Sequence, residues 1–281
     1  MSEAAIADVL ASWQSDPEKA VSAELIKILQ CDNNETRFLF YEANRIRQVH
    51  MGEEVHLRGI IEFSNYCRKS CAYCGIRGPI KEIGRYRMSS SEIIEVAEQA
   101  KEGGCQTVVL QSGEDVWWTR EKICFLLDEI KKRTGMAITL SIGERSAEDY
   151  KAFFEAGCDR YLMRFETSDL ELFKQMHPDD DFNERINCLH VIREAGIQLG
   201  SGFLIGLPGN SIERIAKDIL YATSLKLDMI GCGPFIPNGK TPMGNEKLLV
   251  DKSIYSKTIS ILRILNPDAH IPATTAFDVL R

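Results

Sequence analysis

The sequence has little of what would take it out of the ordinary globular class. Positive charge is not in excess: 34 Lys and Arg stand against 41 Asp and Glu, a net charge of -7, with no basic cluster large enough to follow a phosphate backbone. A nucleic-acid partner is therefore not expected. No apolar run approaches the length of a membrane span. The opening MSEAAIADVLASWQ carries acids and lacks a basic-flanked apolar segment, unlike a secretory signal or an Arg-rich transit peptide, so a cytoplasmic protein is expected. Low-complexity linkers are missing too, and with them any sign of a second globular domain. A disulfide framework also lacks support, because three of the nine cysteines fall within eight residues and the other six are scattered singly. Metal ligation in a reducing compartment fits that distribution better.

What is present is ordinary in amount, 44% hydrophobic and 27% charged residues, and patterned. Glu102-Gly103-Gly104-Cys105-Gln106 leads into TVVLQSGED, Glu155-Ala156-Gly157-Cys158-Asp159 into RYLMRFETS, and Glu194-Ala195-Gly196-Ile197-Gln198 into LGSGFLIGLPG. Each reads as a helix stopped by a C-terminal glycine, then a short β-rich run, then small or polar residues. Helical periodicity fills the intervals after Ser89, Thr119, Ser146, Asn183 and Asn210, most opened by a capping residue with acids in the first turn. Seven strands are expected, starting near Val55, Thr107, Ala137, Arg160, Leu199, Asp228 and Ile271. Strands alternating with helices imply a parallel sheet with right-handed crossovers, and the number of units favours an α/β, TIM-type βα barrel over residues 55–281. Residues 1–54 read as a helical extension ahead of it.

Directly after the first strand stands Asn65-Tyr66-Cys67-Arg68-Lys69-Ser70-Cys71-Ala72-Tyr73-Cys74-Gly75, a CX3CX2C arrangement in a loop at a strand's C-terminal end. Soft thiolates so close together favour zinc or an iron-sulfur cluster. A structural zinc would want a fourth ligand, and no His or Cys follows at finger-like distance. In a cubane, three cysteines leave one iron open. Here the sequence resembles the radical S-adenosylmethionine (SAM) superfamily, whose members hold a 4Fe-4S cluster on such a motif and bind the methionyl amine and carboxylate of SAM at the unique iron. The resemblance implies reductive cleavage of SAM to methionine and a 5'-deoxyadenosyl radical, with electrons from a ferredoxin or flavodoxin.

In a barrel the strand ends carry the chemistry. Here they are Ser112-Gly113-Glu114-Asp115, Ser141-Ile142-Gly143-Glu144, Arg164-Phe165-Glu166-Thr167, Gly206-Leu207-Pro208-Gly209 and Thr274-Thr275. Any one of them is simply a turn; five on one face are informative. IIEFSNYCRKSCAYCG, RYRMSSSEI, LQSGED, SIGE, RFET, LIGLPG, GPFIPNGKTP and IPATTA together look like the HydE family of FeFe-hydrogenase maturases, relatives of the biotin synthases and methylornithine synthases. That resemblance implies that Gly113 and Glu114 contact the SAM amine, Glu166 the ribose and Arg185 the SAM carboxylate. Gly206 would let backbone approach adenine, and Arg164, Glu144, Thr274 and Thr275 would line the substrate cavity. From the residues alone, Arg185 is equally a helix arginine paired with an acid one turn away. His177 and His190 read as satisfied polar groups, and Cys31, Cys105, Cys124, Cys158 and Cys188 as small buried hydrophobes. Cys232 stands between core packing and a role at the site. Trp117-Trp118 departs from the proline and tyrosines usual in the family.

The family reading implies maturation chemistry on a small-molecule substrate, a mononuclear iron carbonyl/cyanide precursor, with other hydrogenase maturases as partners. A methylornithine synthase- or biotin synthase-like enzyme is one rival, and a non-catalytic iron-sulfur carrier or scaffold another. The family pattern also continues past the seventh strand with an eighth strand and a closing helix, so a C-terminally truncated form or fragment is expected.

Overall fold

The structure, a computed structural model, describes residues 1–32, 34–209, 211–246, 251–274 and 276. Three helices come first: α1 (Glu3–Ser15), α2 (Ser22–Gln30) and α3 (Arg37–Met51). Then strand and helix alternate: β1 (Arg58–Ser64), α4 (Ser90–Glu102), β2 (Thr107–Ser112), α5 (Arg120–Thr134), β3 (Ala137–Ser141), α6 (Ala147–Glu155) and β4 (Arg160–Leu162). After β4 come α7 (Leu170–Met176), α8 (Phe182–Glu194), β5 (Gln198–Ser201), β6 (Leu204–Ile205), α9 (Ile212–Ser224), β7 (Met229–Ile230), β8 (Gly233–Pro234) and α10 (Lys252–Leu265).

Among the described residues the sheet is parallel, in the order β1-β2-β3-β4-β5-β7, and β6 and β8 pair beyond it. This is the succession of a βα barrel. Register fixes which face is which. Gly59 lies against Ala100 of α4, where an added Cβ would come within 2.9 Å of its methyl, so Gly59, Ile61 and Phe63 face the helices. Their neighbours Arg58, Ile60 and Glu62 point the other way by the two-residue repeat of a strand. Ile60 is 55% exposed, so that face is open to solvent at β1.

Two expectations need correction. The fifth and sixth runs are each broken in two, β5/β6 and β7/β8, with Gly202 and Gly231 packed backbone to backbone at the break, where a Cβ on Gly202 would lie 2.2 Å from the Gly231 carbonyl oxygen. The seventh strand from Ile271 is not formed in the described residues. One parallel bridge, Met229 to His270, stands in its place, with Ile230 N–H donating to the His270 carbonyl at 2.8 Å.

Helix starts are set by local chemistry. Ser89 and Ser146 form reciprocal capping boxes with Glu92 and Asp149, and Asp169 and Asp181 accept from first-turn N–H groups of α7 and α8. The N-terminal helices are not separate from the rest. Ile6, Leu10 and Trp13 of α1 and Leu25 and Ile28 of α2 join one continuous core with Leu262 and Leu265 of α10 and the strands. No helix among the described residues is long and apolar enough to cross a membrane.

Candidate functional site

The cysteine loop leaves β1 at Ser64, whose hydroxyl donates to Asp115 Oδ2 at 2.7 Å. Its fold is held by groups other than the thiols. The Arg85 guanidinium donates to the carbonyls of Asn65, Ile76, Arg77 and Ile80, and Arg77 Nη2 to that of Ser70 at 2.6 Å. Ala72 N–H reaches the Met176 carbonyl at 2.7 Å, and Asp179 Oδ2 takes the Ser70 N–H at 3.0 Å. Cys67, Cys71 and Cys74 are thus free of any disulfide and half-buried. Burial pushes the Cys71 and Cys74 thiols up, an unfavourable state for a bare thiolate. A coordinated metal removes that penalty by taking the proton's place. Cys67 Sγ accepts from the Glu114 N–H at 3.3 Å, which ties the first ligand to the end of β2.

The strand ends converge on this loop. Gly113 is where they touch: a Cβ there would lie 2.3 Å from the Tyr66 carbonyl oxygen and 2.7 Å from Cys67 Cβ. Beside it three cations meet three carboxylates. Arg68 Nε donates to Glu114 Oε1 at 2.6 Å, Lys69 Nζ pairs with Asp180 and, at 3.1 Å, with Glu144, and Arg185 Nη2 donates to Asp180 Oδ2 at 2.6 Å. Burial works against ionisation of Asp180, but the hydrogen bonds from His177 and Lys69 and the charge of Arg185 outweigh it and hold its carboxyl well below the usual range. Arg185 Nε is buried without a hydrogen-bond partner, with Glu144 Oε1 3.2 Å away but outside hydrogen-bonding geometry. Glu144 therefore stands with Arg185 and Lys69.

Glu166 occupies a left-handed backbone conformation, φ 67°, which an L side chain adopts only when its surroundings impose it. The Glu166 N–H donates to the Gly202 carbonyl, its own carbonyl accepts from Leu204, and the next two residues are anchored on buried Asp218, which accepts from Ser168 N at 2.6 Å. This aims the carboxylate at the cysteine loop. Oε1 accepts from the Tyr73 hydroxyl at 2.9 Å and lies 3.1 Å from Arg164 Nε; Oε2 is buried with no partner. Next to Tyr73, Leu172, Met176, Leu204, Leu207 and Phe235 form a small apolar group, and Gly206, with φ 81°, turns the chain beside it.

The remaining candidates separate. Thr274 sits by Gly233, where a Cβ would be 3.0 Å from its Oγ1. Thr275 lies outside the described residues. Cys232 is fully buried in the main core, and burial pushes its thiol up to about 12. Trp118 is buried edge-on against Phe63 at 5.0 Å, Trp117 carries the Lys122 ammonium over its ring, and the Trp117 N–H donates to Asp115 Oδ1 at 3.1 Å. Sequence reasoning passed over Asp180 and read His177 only as a satisfied polar group; both come from the joint between α7 and α8 and lie against Cys71 and Lys69.

Three free thiols in a braced loop, orphaned buried donor and acceptor atoms on Arg185 and Glu166, and a polar network at parallel strand ends fit a cluster with SAM beside it. Residues 61–222 match the radical SAM superfamily, and the chain belongs to that superfamily. Its cofactors are the superfamily's 4Fe-4S cluster and SAM. Within the superfamily, it is similar to the [FeFe] hydrogenase maturase subunit HydE of Thermotoga maritima, 46% identical over 242 residues, covering 86% of this chain and 69% of that one. It is also 31% identical over 239 residues to 3-methylornithine synthase of Methanosarcina acetivorans, covering 84% of this chain and 67% of the other. The solved methylornithine synthase PylB superposes with a TM-score of 0.87 at 27% identity, over 97% of this chain and 82% of that one.

Proposed function

We propose that this chain is a cytoplasmic maturase of the HydE type, a radical SAM enzyme that processes a small iron carbonyl/cyanide precursor on the way to the FeFe-hydrogenase active site. The observation that carries the reading is the 46% identity to HydE over 86% of the chain, well above the 31% to a methylornithine synthase. When bound, the cluster and SAM supply a 5'-deoxyadenosyl radical by reductive cleavage.

In this reading the chain's own groups bind, orient and exclude water. Cys67, Cys71 and Cys74 ligate the cluster. Arg185 turns its unpartnered Nε to the SAM carboxylate, a guanidinium being the strongest partner for one. Glu114, with backbone at Gly113, receives the SAM amine, and the vacant Oε2 of Glu166 accepts from the ribose. Gly206 and the apolar group around Leu207 and Phe235 sit where adenine needs close backbone and a dry wall. Arg164, held by Glu166, and the hydroxyls of Thr274 and Thr275 serve the substrate, while Glu144, paired with Lys69 and Arg185, serves the amino-acid end of SAM. Electrons come from a ferredoxin or flavodoxin, and the product passes to the other maturases.

The test is complementation. In a host lacking its own HydE, this chain expressed with the remaining maturases restores hydrogenase activity, and the Cys71→Ala variant does not. Failure of the wild-type chain, with 5'-deoxyadenosine still formed from SAM in the presence of lysine, would move the assignment to the methylornithine synthase side.

A further inference from the structure

His177 ends α7 and is only 2% exposed. Its ring is fixed on two sides, stacked on Phe173 with centroids 4.7 Å apart and 15° between planes, and edge-on to Tyr73 at 5.5 Å. So held, Nε2 lies 3.4 Å from the Tyr73 hydroxyl, while Nδ1 faces Asp180 Oδ2 at 3.1 Å and Cys71 Sγ at 3.4 Å. Neither of these last two partners can donate to it at the working site. Asp180 lies between two cations, accepting from Arg185 Nη2 at 2.6 Å and paired with Lys69, so it is a carboxylate and only accepts. A cluster-bound Cys71 is a thiolate and accepts only. Nδ1 therefore carries the proton and shares it between carboxylate and sulfur.

A hydrogen bond to a cluster sulfur draws electron density from the iron, stabilises the reduced form and raises the reduction potential. We propose that His177 is a positioning residue for the cluster's electronics: its Nδ1–H donates to the Cys71 thiolate and raises the reduction potential of the cluster held by Cys67, Cys71 and Cys74. Asp180 fixes the tautomer, in the manner of the carboxylates behind metal-bound histidines. The competing use of the same atoms is a mononuclear metal site, since Cys71, His177 and Asp180 place their ligand atoms within 4.8 Å of one another. Commitment of Cys71 to the three-cysteine set argues against it.

The inference rests on the cluster assignment, and the experiment separates the two. Wild type, His177→Phe and His177→Gln are reconstituted anaerobically, iron and zinc are counted, and the midpoint potential is measured by EPR-monitored titration. Phenylalanine keeps the stacking and loses the donor; glutamine keeps an N–H. The expected result is equal iron in all three, with the Phe variant reduced less readily by roughly tenfold in equilibrium constant, about 59 mV for one electron, and the Gln variant nearer wild type. Equal potentials in wild type and the Phe variant, or equal shifts in both variants, overturn the proposal, as does a zinc in wild type that the Phe variant lacks. If the Phe variant fails to hold a cluster, pulsed EPR on reduced wild-type enzyme with 15N-histidine decides. A weak 15N coupling is expected, and its absence overturns the proposal. A wild-type protein that binds no iron sinks the cluster assignment, and this inference with it.

Discussion

Gly113→Ala is the smallest change that tests how the site is assembled. The methyl would lie 2.3 Å from the Tyr66 carbonyl oxygen and 2.7 Å from Cys67 Cβ, whereas ordinary contact begins near 3.4 Å. Both obstacles are stiff, one a backbone carbonyl and the other the root of a cluster ligand, so the end of β2 and the cysteine loop must part by roughly 1 Å. Hydrogen bonds that cross that seam, among them Gly113 N–H to the Ser64 carbonyl at 3.2 Å, Arg68 N–H to the Glu114 carbonyl at 3.1 Å and Glu114 N–H to Cys67 Sγ at 3.3 Å, lengthen together. A displacement of this size between reacting partners costs on the order of a hundredfold in rate, about 2.7 kcal/mol. The assay is 5'-deoxyadenosine formation under excess reductant at varied SAM, alongside iron content and thermal midpoint. The expectation is near-normal iron with kcat/KM for SAM down about a hundredfold. A variant with wild-type iron and kcat/KM within threefold of wild type would refute the close approach of the two loops as the basis of the site.

Arg185→Ala should weaken SAM binding by roughly ten- to a hundredfold, since a charge-assisted hydrogen bond is worth about 1.5 to 3 kcal/mol; an unchanged SAM titration would show that Nε serves only Glu144. Glu166→Gln should spare the cluster spectrum and weaken SAM by about the same factor, and wild-type affinity there would remove Oε2 from the ribose site. Asp218 is fully buried, and burial lifts its pKa to about 6 from 3.8 despite hydrogen bonds from Thr167 and Ser168. Below pH 4 both folded and unfolded states hold its proton. As pH rises from about 4 through 6 the unfolded state releases it first, so stability falls by about 3 kcal/mol across that window and stays level above it. Asp218→Asn removes this slope, so the thermal midpoint of the variant relative to wild type should rise between pH 4.5 and 7.5. His270, pushed down to about 4 by burial and then by Arg160 and Arg58, titrates with the opposite sign but cancels in the comparison. A difference flat across pH would contradict the buried-carboxylate account.

The βα rhythm was legible because it is written in local signals. Glycines after helices, capping serines with an acid three residues on, and apolar runs placed the long elements from β1 to α9 within a few residues, whereas α10 (Lys252–Leu265) was not foreseen. The cysteine loop was legible because its three ligands are neighbours in sequence. What failed to show was tertiary. Asp180 and His177 belong to no motif; they matter because α7 delivers its C-terminal end to Cys71, through the Ala72 N–H bonded to the Met176 carbonyl. Arg185 was ambiguous for the same reason: its partner is Asp180, not Glu184 or an acid one helical turn away, and that pairing needs α8 packed behind the cysteine loop. Glu144 was assigned to the substrate cavity by resemblance alone, and its ion pairs with Lys69 and Arg185 are tertiary contacts that no local pattern encodes. The broken fifth and sixth strands follow from Gly202 and Gly231, whose backbones touch, a contact that no single strand's pattern encodes.

SAM cleavage by this chain requires Cys67, Cys71 and Cys74 to act as one ligand set. The decisive measurement is anaerobic reconstitution with iron and sulfide, followed by quantitation of 5'-deoxyadenosine and methionine after addition of SAM and a low-potential reductant, for wild type and the three single Cys→Ala variants. Wild type should hold about four irons per chain, as one cubane requires, and release both products in equal amounts, while each variant releases neither. A wild-type protein with that iron and no 5'-deoxyadenosine, or any of the three variants that still cleaves SAM, would contradict it.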